Sequence, residues 1–282
     1  MAIIDNDGFM FLDGLSSEYI VVESNRLDDY IKYINKHKIC AIYICSLYYF
    51  DDNVDFLKEC EHVEKINITS TCILNYYGLS YLEKLKVLLL PELKGIVDLN
   101  NNQYIEELSI EMNREILGLN KLKNLKTLRL WKYKPKSKNL TELKDLKSIE
   151  NLKISQSTIQ SLNGCEELDK LKSLELSYLS KLESIEEINR INNSLKTLEF
   201  VSCKKIKDHE CVECLSNLEV LAFNECGEIG SISFIKNMSN LESFVFMGTN
   251  IVDGDLSPCI GIKYVAFQDK KHYSHKYREF NI

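Results

Sequence analysis

Apolar residues recur along most of the chain in one arrangement: apolar, two variable, apolar, two variable, apolar, one variable, apolar. The arrangement stands as Cys60, Val63, Ile66, Ile68 and returns as Leu82, Leu85, Leu88, Leu90. Asn102, Ile105, Leu108, Ile110 is a weaker copy. Leu122, Leu125, Leu128, Leu130; Leu146, Ile149, Leu152, Ile154; and Leu168, Leu171, Leu174, Leu176 follow. The set Leu195, Leu198, Phe200 has lost its first member. Leu215, Leu218, Leu221, Phe223; Met238, Leu241, Phe244, Phe246; and Cys259, Ile262, Val265, Phe267 close the series, and Ile39, Ile42, Ile44 is a partial first copy. The third apolar position falls at 42, 66, 88, 108, 128, 152, 174, 198, 221, 244 and 265, a step of about 22 residues, within the range of stacked repeat proteins.

The closing apolar pair has period two, so both side chains point to one face of a short strand while the residues beside them point to the other. The preceding spacing of three suits a helical or 3₁₀ segment lying over the same core. Each repeat is therefore a strand plus a return arm. None can bury its apolar face alone, so the repeats must stack. This device also fits a chain of 282 residues with only 3 Pro and 11 Gly, which turns instead with Asn, Ser and Lys at the repeat corners.

These repeats resemble the leucine-rich repeat family over residues 39–268, and their length is most similar to bacterial, internalin-type repeats. The resemblance implies an α/β leucine-rich repeat solenoid: a curved parallel sheet on a concave face and short helical or 3₁₀ arms on a convex face. It also implies an Asn or Cys ladder, bonding the backbone of neighbouring coils, eight residues after the second apolar position. Asn113, Cys203 and Cys226 match that ladder, whereas Thr71, Tyr133, Ser157, Leu179 and Thr249 depart from it, so an irregular ladder is expected. The secretion signal and surface anchor of an internalin are not seen, and host invasion is not implied.

A bare stack exposes its core at both ends and needs caps. Residues 1–38 do not fit the repeat. Glu18–Val22 reads as a strand and Leu27–Ile34 as a short amphipathic helix, together an N-terminal cap. Residues 269–282 are polar and aromatic and read as a C-terminal cap. With no linker-like stretch between them, one domain is expected.

Composition narrows the function classes. Hydrophobic residues make up 45% and charged residues 27%, which is ordinary globular composition. No apolar run is long enough to span a membrane. A net charge of -7 argues against nucleic acid as the main partner, because phosphate binding rests on excess Lys and Arg. The N-terminus lacks a basic region followed by an apolar one, so cytoplasmic residence is expected. The ten cysteines, mostly inside apolar runs, read as reduced and buried. The richness in Lys, Asn and Ile fits an AT-rich bacterial genome.

Candidate chemistry is sparse. Cys211 and Cys214 form a C-x-x-C near Cys203, His209 and Cys226, but a zinc site wants four ligands in paired spacing. Packing is the better reading, with Cys214 and Leu215 pointing inward. His272 and His275 read as capping residues. Asp5-Asn6-Asp7-Gly8 opens like a calcium loop but has Ser16 where the glutamate is required, so a tight turn is expected. No catalytic motif stands out, and neither a cofactor nor enzymatic activity is expected.

The strand face remains. Ten strands about 4.8 Å apart span roughly 45 Å, enough to cradle a small domain. Its middle carries Glu107, Glu111, Glu175 and Glu199 with Arg129, Lys153 and the single tryptophan, Trp131. Its C-terminal third is apolar, with Val201, Val220, Ala222, Val245, Met247, Tyr264 and Ala266. Trp and Arg are enriched among interface hot spots, and a contiguous apolar patch marks a contact surface. Glu107, Glu111, Arg129, Trp131, Lys153, Glu175, Glu199, Val245, Met247 and Tyr264 are the predicted partner-binding residues. The expectation is a non-catalytic protein-binding scaffold, foremost a cytoplasmic immunity protein that occludes a basic toxin domain. An adaptor for an enzyme of the same cell is the alternative, and a Cys-rich metal protein the third reading. Oligomeric state is left open.

Overall fold

The computed structural model describes residues 3–12, 19–112, 116–191 and 194–280. The chain forms two compact units, residues 1–130 and 131–282. Both are built of stacked coils, most of them a short parallel strand returned by a short 3₁₀ helix.

The first unit opens with an antiparallel hairpin, Ile3–Asn6 paired with Phe9–Leu12. Asp7 and Gly8 form its turn, both with positive φ, 54° and 80°, as an Asp-Gly hairpin turn requires. Strand Ile20–Val21 pairs antiparallel with Phe9–Leu12 and parallel with Ala41–Ile44, and so converts the hairpin into the parallel repeat sheet. Glu18 of the predicted strand and Ser16 lie outside the described residues. Between the two strands runs the helix Leu27–His37, which buries Tyr30, Ile31 and Ile34. Tyr33 stacks between Phe9, at 4.0 Å, and His37, at 4.2 Å. Lys38 ends the helix in the left-handed region, with φ 54°. Strands Ala41–Ile44, Lys65–Ile68, Val87–Leu90 and Glu107–Glu111 then pair in parallel register, joining Ile42, Ile66, Leu88 and Leu108 side by side.

In the second unit, strands Asn151–Ser155, Ser173–Ser177, Thr197–Val201, Val220–Asn224, Ser243–Val245 and Tyr264–Ala266 pair in the same way. Leu152, Leu174, Leu198, Leu221, Phe244 and Val265 form one buried row, each at most 1% exposed. Phe200 stacks on Phe223 at 5.2 Å and Phe246 on Phe267 at 4.9 Å, both pairs within 3° of parallel. In-register identical positions make such stacks automatic, and each burial contributes about 1.5–3 kcal/mol. Position 192, where the repeat lacks its first apolar member, lies outside the described residues; Ile191 is buried beside it.

Among the described residues the return arms carry 3₁₀ helix, except residues 91–106, which turn around the short strand Val97–Asp98, and the sole α-helix is Leu27–His37. A spacing of three keeps one row of side chains inward and the next two outward. That corrects one expectation. In the arm His209–Cys214, Val212 and Leu215 are buried, whereas Cys214 is exposed.

The last coil is closed by residues 269–280. Tyr273 is 5% exposed. Its hydroxyl accepts the Ile251 N–H at 3.1 Å and donates to the Thr249 carbonyl at 3.4 Å. Phe267 is ringed edge-on by Tyr273, Tyr277 and Phe280. His272 Nε2 lies 2.9 Å from the Ile251 carbonyl, and His275 Nδ1 lies 2.8 Å from Ser274 Oγ, so both histidines are held within the closing segment.

Candidate functional site

The strand face is built by alternation: the apolar pair points into the core, and the residues beside it stay at the surface. In the first unit, Arg129 Nη1 meets Glu107 Oε1 at 2.5 Å, joining neighbouring strands. Glu111 sits differently. It is buried, 6% exposed, and its Oε2 accepts the Leu93 N–H at 3.2 Å. It satisfies a backbone donor of the preceding coil, and its carboxylate is not presented to a partner.

In the second unit, Lys153 Nζ meets Glu175 Oε2 at 2.5 Å. Glu199 stands next in the same cross-strand row, followed by Ala222. Burial, and then the Glu175 charge, raise the Glu199 carboxyl above the usual range, with Lys153 acting in opposition. Of the four carboxylates predicted for this face, Glu107 and Glu175 are neutralised by neighbours and Glu111 faces inward. Glu199 is the one left without a hydrogen bond or ion pair. Trp131 is half-buried at the end of strand Thr127–Trp131. Beyond Glu199 the face turns apolar. Ala222 and Ala266 form a floor at 3% and 7% exposure, while Met247 and Tyr264 stand up at 39% and 49%, with Val201, Val220 and Val245 half-buried between them.

Sequence reasoning passed over a second row. From strand Lys65–Ile68 onward the residue just before each repeat strand is charged, and these residues fall into pairs of opposite sign on neighbouring coils. Glu64–Lys86 at 2.8 Å and Glu106–Lys126 at 2.7 Å lie in the first unit. Glu150–Lys172 at 2.8 Å, Lys196–Glu219 at 2.6 Å and Glu242–Lys263 at 2.5 Å lie in the second. The signal was available, since these positions stand two before each third apolar residue. Being exposed and screened by solvent, each pair adds little to stability. Their effect is to cancel ten charges along one edge of the sheet.

The expected ladder is more continuous than the residue types suggested. The Cys203 thiol lies 3.5 Å from the Leu176 carbonyl and Cys226 lies 3.5 Å from that of Phe200. Thr249, which departs from the Asn/Cys pattern, donates its hydroxyl to the Phe223 carbonyl and accepts the Cys226 N–H at 2.9 Å. Ser157, another departure, donates to the Tyr133 carbonyl at 2.6 Å. A short hydroxyl placed at the corner does the work of the amide. Asn102, the weak member of its repeat, is wholly buried and donates to the Leu79 and Leu82 carbonyls, both at 2.9 Å. Asn113 lies outside the described residues.

Burial raises the Cys203 thiol to about 11 and the Cys226 thiol to about 12. Cys211 is pushed up to about 11 by burial and by the Asp208 and Glu210 carboxylates. All stay protonated at neutral pH, which disfavours both metal ligation and nucleophilic chemistry. Cys214 lies 3.1 Å from Asn189 Oδ1. Among the described residues no three His, Cys, Asp or Glu side chains cluster as metal ligands, and no helix is long and apolar enough to cross a membrane. A cavity of about 750 Å³ lies among return arms of the second unit, beside His209, Glu213, Glu228 and Asn237.

No protein-family profile matches the sequence, and no curated protein does. Among solved structures the chain is similar to an internalin (InlF) of Listeria monocytogenes, with a TM-score of 0.65 and 17% identity over 86% of this chain and 70% of that one. Internalin C2 of the same species aligns with a TM-score of 0.48 and 18% identity, covering 60% of this chain and 84% of that one. A leucine-rich repeat protein of Leptospira interrogans aligns with a TM-score of 0.48 and 14% identity, covering 89% and 82%. At such identities the likeness is one of fold, and the fold is that of the leucine-rich repeat.

Proposed function

We propose that the protein is a non-catalytic scaffold that binds another protein through its strand face. Within that class, we propose a cytoplasmic bacterial immunity protein that occludes a cognate toxin. The observation that carries the reading is the apolar shelf of the second unit, where Met247 and Tyr264 stand over Ala222 and Ala266 beside the uncompensated carboxylate of Glu199. An apolar area flanked by an unpaired, partly desolvated charge suits a partner that brings an Arg or Lys with an apolar collar. Trp131 is a further anchor of this contact. The net charge of -7 would speed encounter with a basic toxin domain. The ten free thiols suit a reducing compartment.

The test is co-expression with the product of the neighbouring reading frame. Relief of its toxicity and a stable complex are expected, with Tyr264→Ala and Met247→Ala each weakening the complex by about tenfold or more. A non-toxic neighbour, or toxicity that persists, overturns the immunity reading. A complex indifferent to Trp131→Ala, Met247→Ala and Tyr264→Ala moves the contact off the strand face.

A further inference from the structure

The coil that opens the second unit carries Lys132, Lys134, Lys136 and Lys138 within seven residues of an acidic chain. All four side chains are exposed, as is Ser137, while Tyr133 and Pro135 between the first three are buried. The alternation fixes the row: Tyr133 is 2% exposed and pins the loop to the core. Lys132 and Lys138 bracket it in the left-handed region, with φ of 54° and 55°. The Lys138 N–H bonds the Pro135 carbonyl at 3.2 Å, which sets Lys136 at the tip of a turn. The next coil holds the loop from the side. Its Thr158 N–H bonds the Tyr133 carbonyl at 3.2 Å, and its Gln160 N–H bonds the Lys138 carbonyl at 2.8 Å. That coil runs Ser155-Gln156-Ser157-Thr158-Ile159-Gln160-Ser161-Leu162-Asn163, with no charge in it. Elsewhere in the unit, edge lysines such as Lys172, Lys196 and Lys263 are spent on carboxylates of adjoining coils. Lys134, Lys136 and Lys138 have no such carboxylate on the coil that holds them; Glu142 of their own coil lies at the loop, where it accepts the Ser137 N–H at 3.2 Å.

We propose that this lysine loop is a second docking surface, one that takes a short acidic segment of a partner protein. A preformed row of ammonium groups beside neutral hydroxyl and amide donors is complementary to closely spaced Asp or Glu carboxylates. The row is short and the molecule around it is net negative. A long polyanion would therefore meet repulsion beyond the loop, whereas a short acidic segment engages the lysines alone. The surface uses no residue of the strand-face shelf, so it stands or falls separately from the toxin reading.

The test uses the full chain and a fluorescent octapeptide of alternating Glu and Ser, read by anisotropy at low ionic strength. The combined variant Lys134→Gln, Lys136→Gln, Lys138→Gln changes only exposed side chains. It is compared with Lys170→Gln, Lys181→Gln, Lys204→Gln, which removes the same charge from scattered exposed sites of the same unit. The wild type is expected to bind. The loop variant should weaken binding by about tenfold, the sum of three exposed ion pairs, and the scattered variant by no more than about twofold. Absence of binding to the wild type, or equal loss in both variants, overturns the proposal. So does a wild type that takes phosphatidylserine vesicles or oligothymidylate in preference to the peptide.

Discussion

Lys132, Gln156, Tyr178, Ser202, Glu225 and Gly248 occupy the corresponding corner of successive coils, the first five immediately after their strands, and each has positive φ. Only one is glycine. The N–H of each of the first four bonds the carbonyl of the next strand's last residue, from Lys132 to Ser155 at 2.9 Å through Ser202 to Asn224 at 2.8 Å, and the Glu225 N–H bonds the Met247 carbonyl at 2.7 Å. That bond holds a conformation which costs a non-glycine residue about 1–2 kcal/mol. Gln156→Gly should therefore raise the urea midpoint by up to about 1 kcal/mol of stability, since relief of strain exceeds the added chain entropy. Thr249→Val should act oppositely. It leaves the buried Phe223 carbonyl and Cys226 N–H unpaired, at a cost of about 1–3 kcal/mol by denaturant titration, while Thr249→Ser should keep most of the stability. His209 is 4% exposed, packed edge-on against Phe223, with no partner for Nε2. Burial lowers its pKa, against the pull of Asp208 and Glu210. The unfolded chain then binds the proton more readily than the folded one. Stability should fall as pH drops below the ordinary histidine range, through the interval down to the lowered folded value. His209→Phe should flatten that part of the pH profile. None of these three roles was legible in residue type: glutamine, threonine and histidine are ordinary surface letters until the register puts them at a corner or in an arm.

At the scale of the element, the strands and arms follow from spacing. Period two placed Leu174 and Leu176 inward, and period three placed Leu168 and Leu171 over them, as the burial of all four shows. The arms are where spacing fell short. A 3₁₀ helix turns one residue in three inward, so the adjacent pair Cys214 and Leu215 cannot both point in, and only Leu215 is buried. Close approach of neighbouring arms was also hidden. Gly164 has φ 98°, and a Cβ there would meet Thr141 N at 2.5 Å and the Leu140 carbonyl carbon at 2.7 Å. Gly164→Ala should therefore lose at least about 2 kcal/mol, read as a lower thermal midpoint. Gly230, whose added Cβ would meet nothing, should tolerate the same change.

For the whole molecule, the charge reading changes most. The net -7 coexists with a row of self-cancelling Glu–Lys pairs, a strand face on which Glu199 is the one of the four predicted carboxylates left unpaired, and a loop of four lysines. If the partner is a basic toxin domain, its association rate should fall several-fold between low and physiological salt. Glu199→Gln should slow association and speed dissociation, both read by stopped-flow fluorescence. The predicted site was half legible. The strand-face positions could be counted from the repeat. Which of Glu107, Glu111, Glu175 and Glu199 stays available could not, because that depends on what stands about 20 residues away on the next coil.

What the sequence alone determined is the repeat: its register, its buried rows and the face each strand presents, because periods of two and three are local geometry. The structure decided the rest. The pairing of Glu107 with Arg129 and of Glu175 with Lys153, the inward turn of Glu111, the hydroxyl rungs at Ser157 and Thr249 and the uncharged flank of the lysine loop are contacts between coils. Stacking brings together residues far apart in the chain, and the free energy of a charge or a buried carbonyl depends on that neighbour.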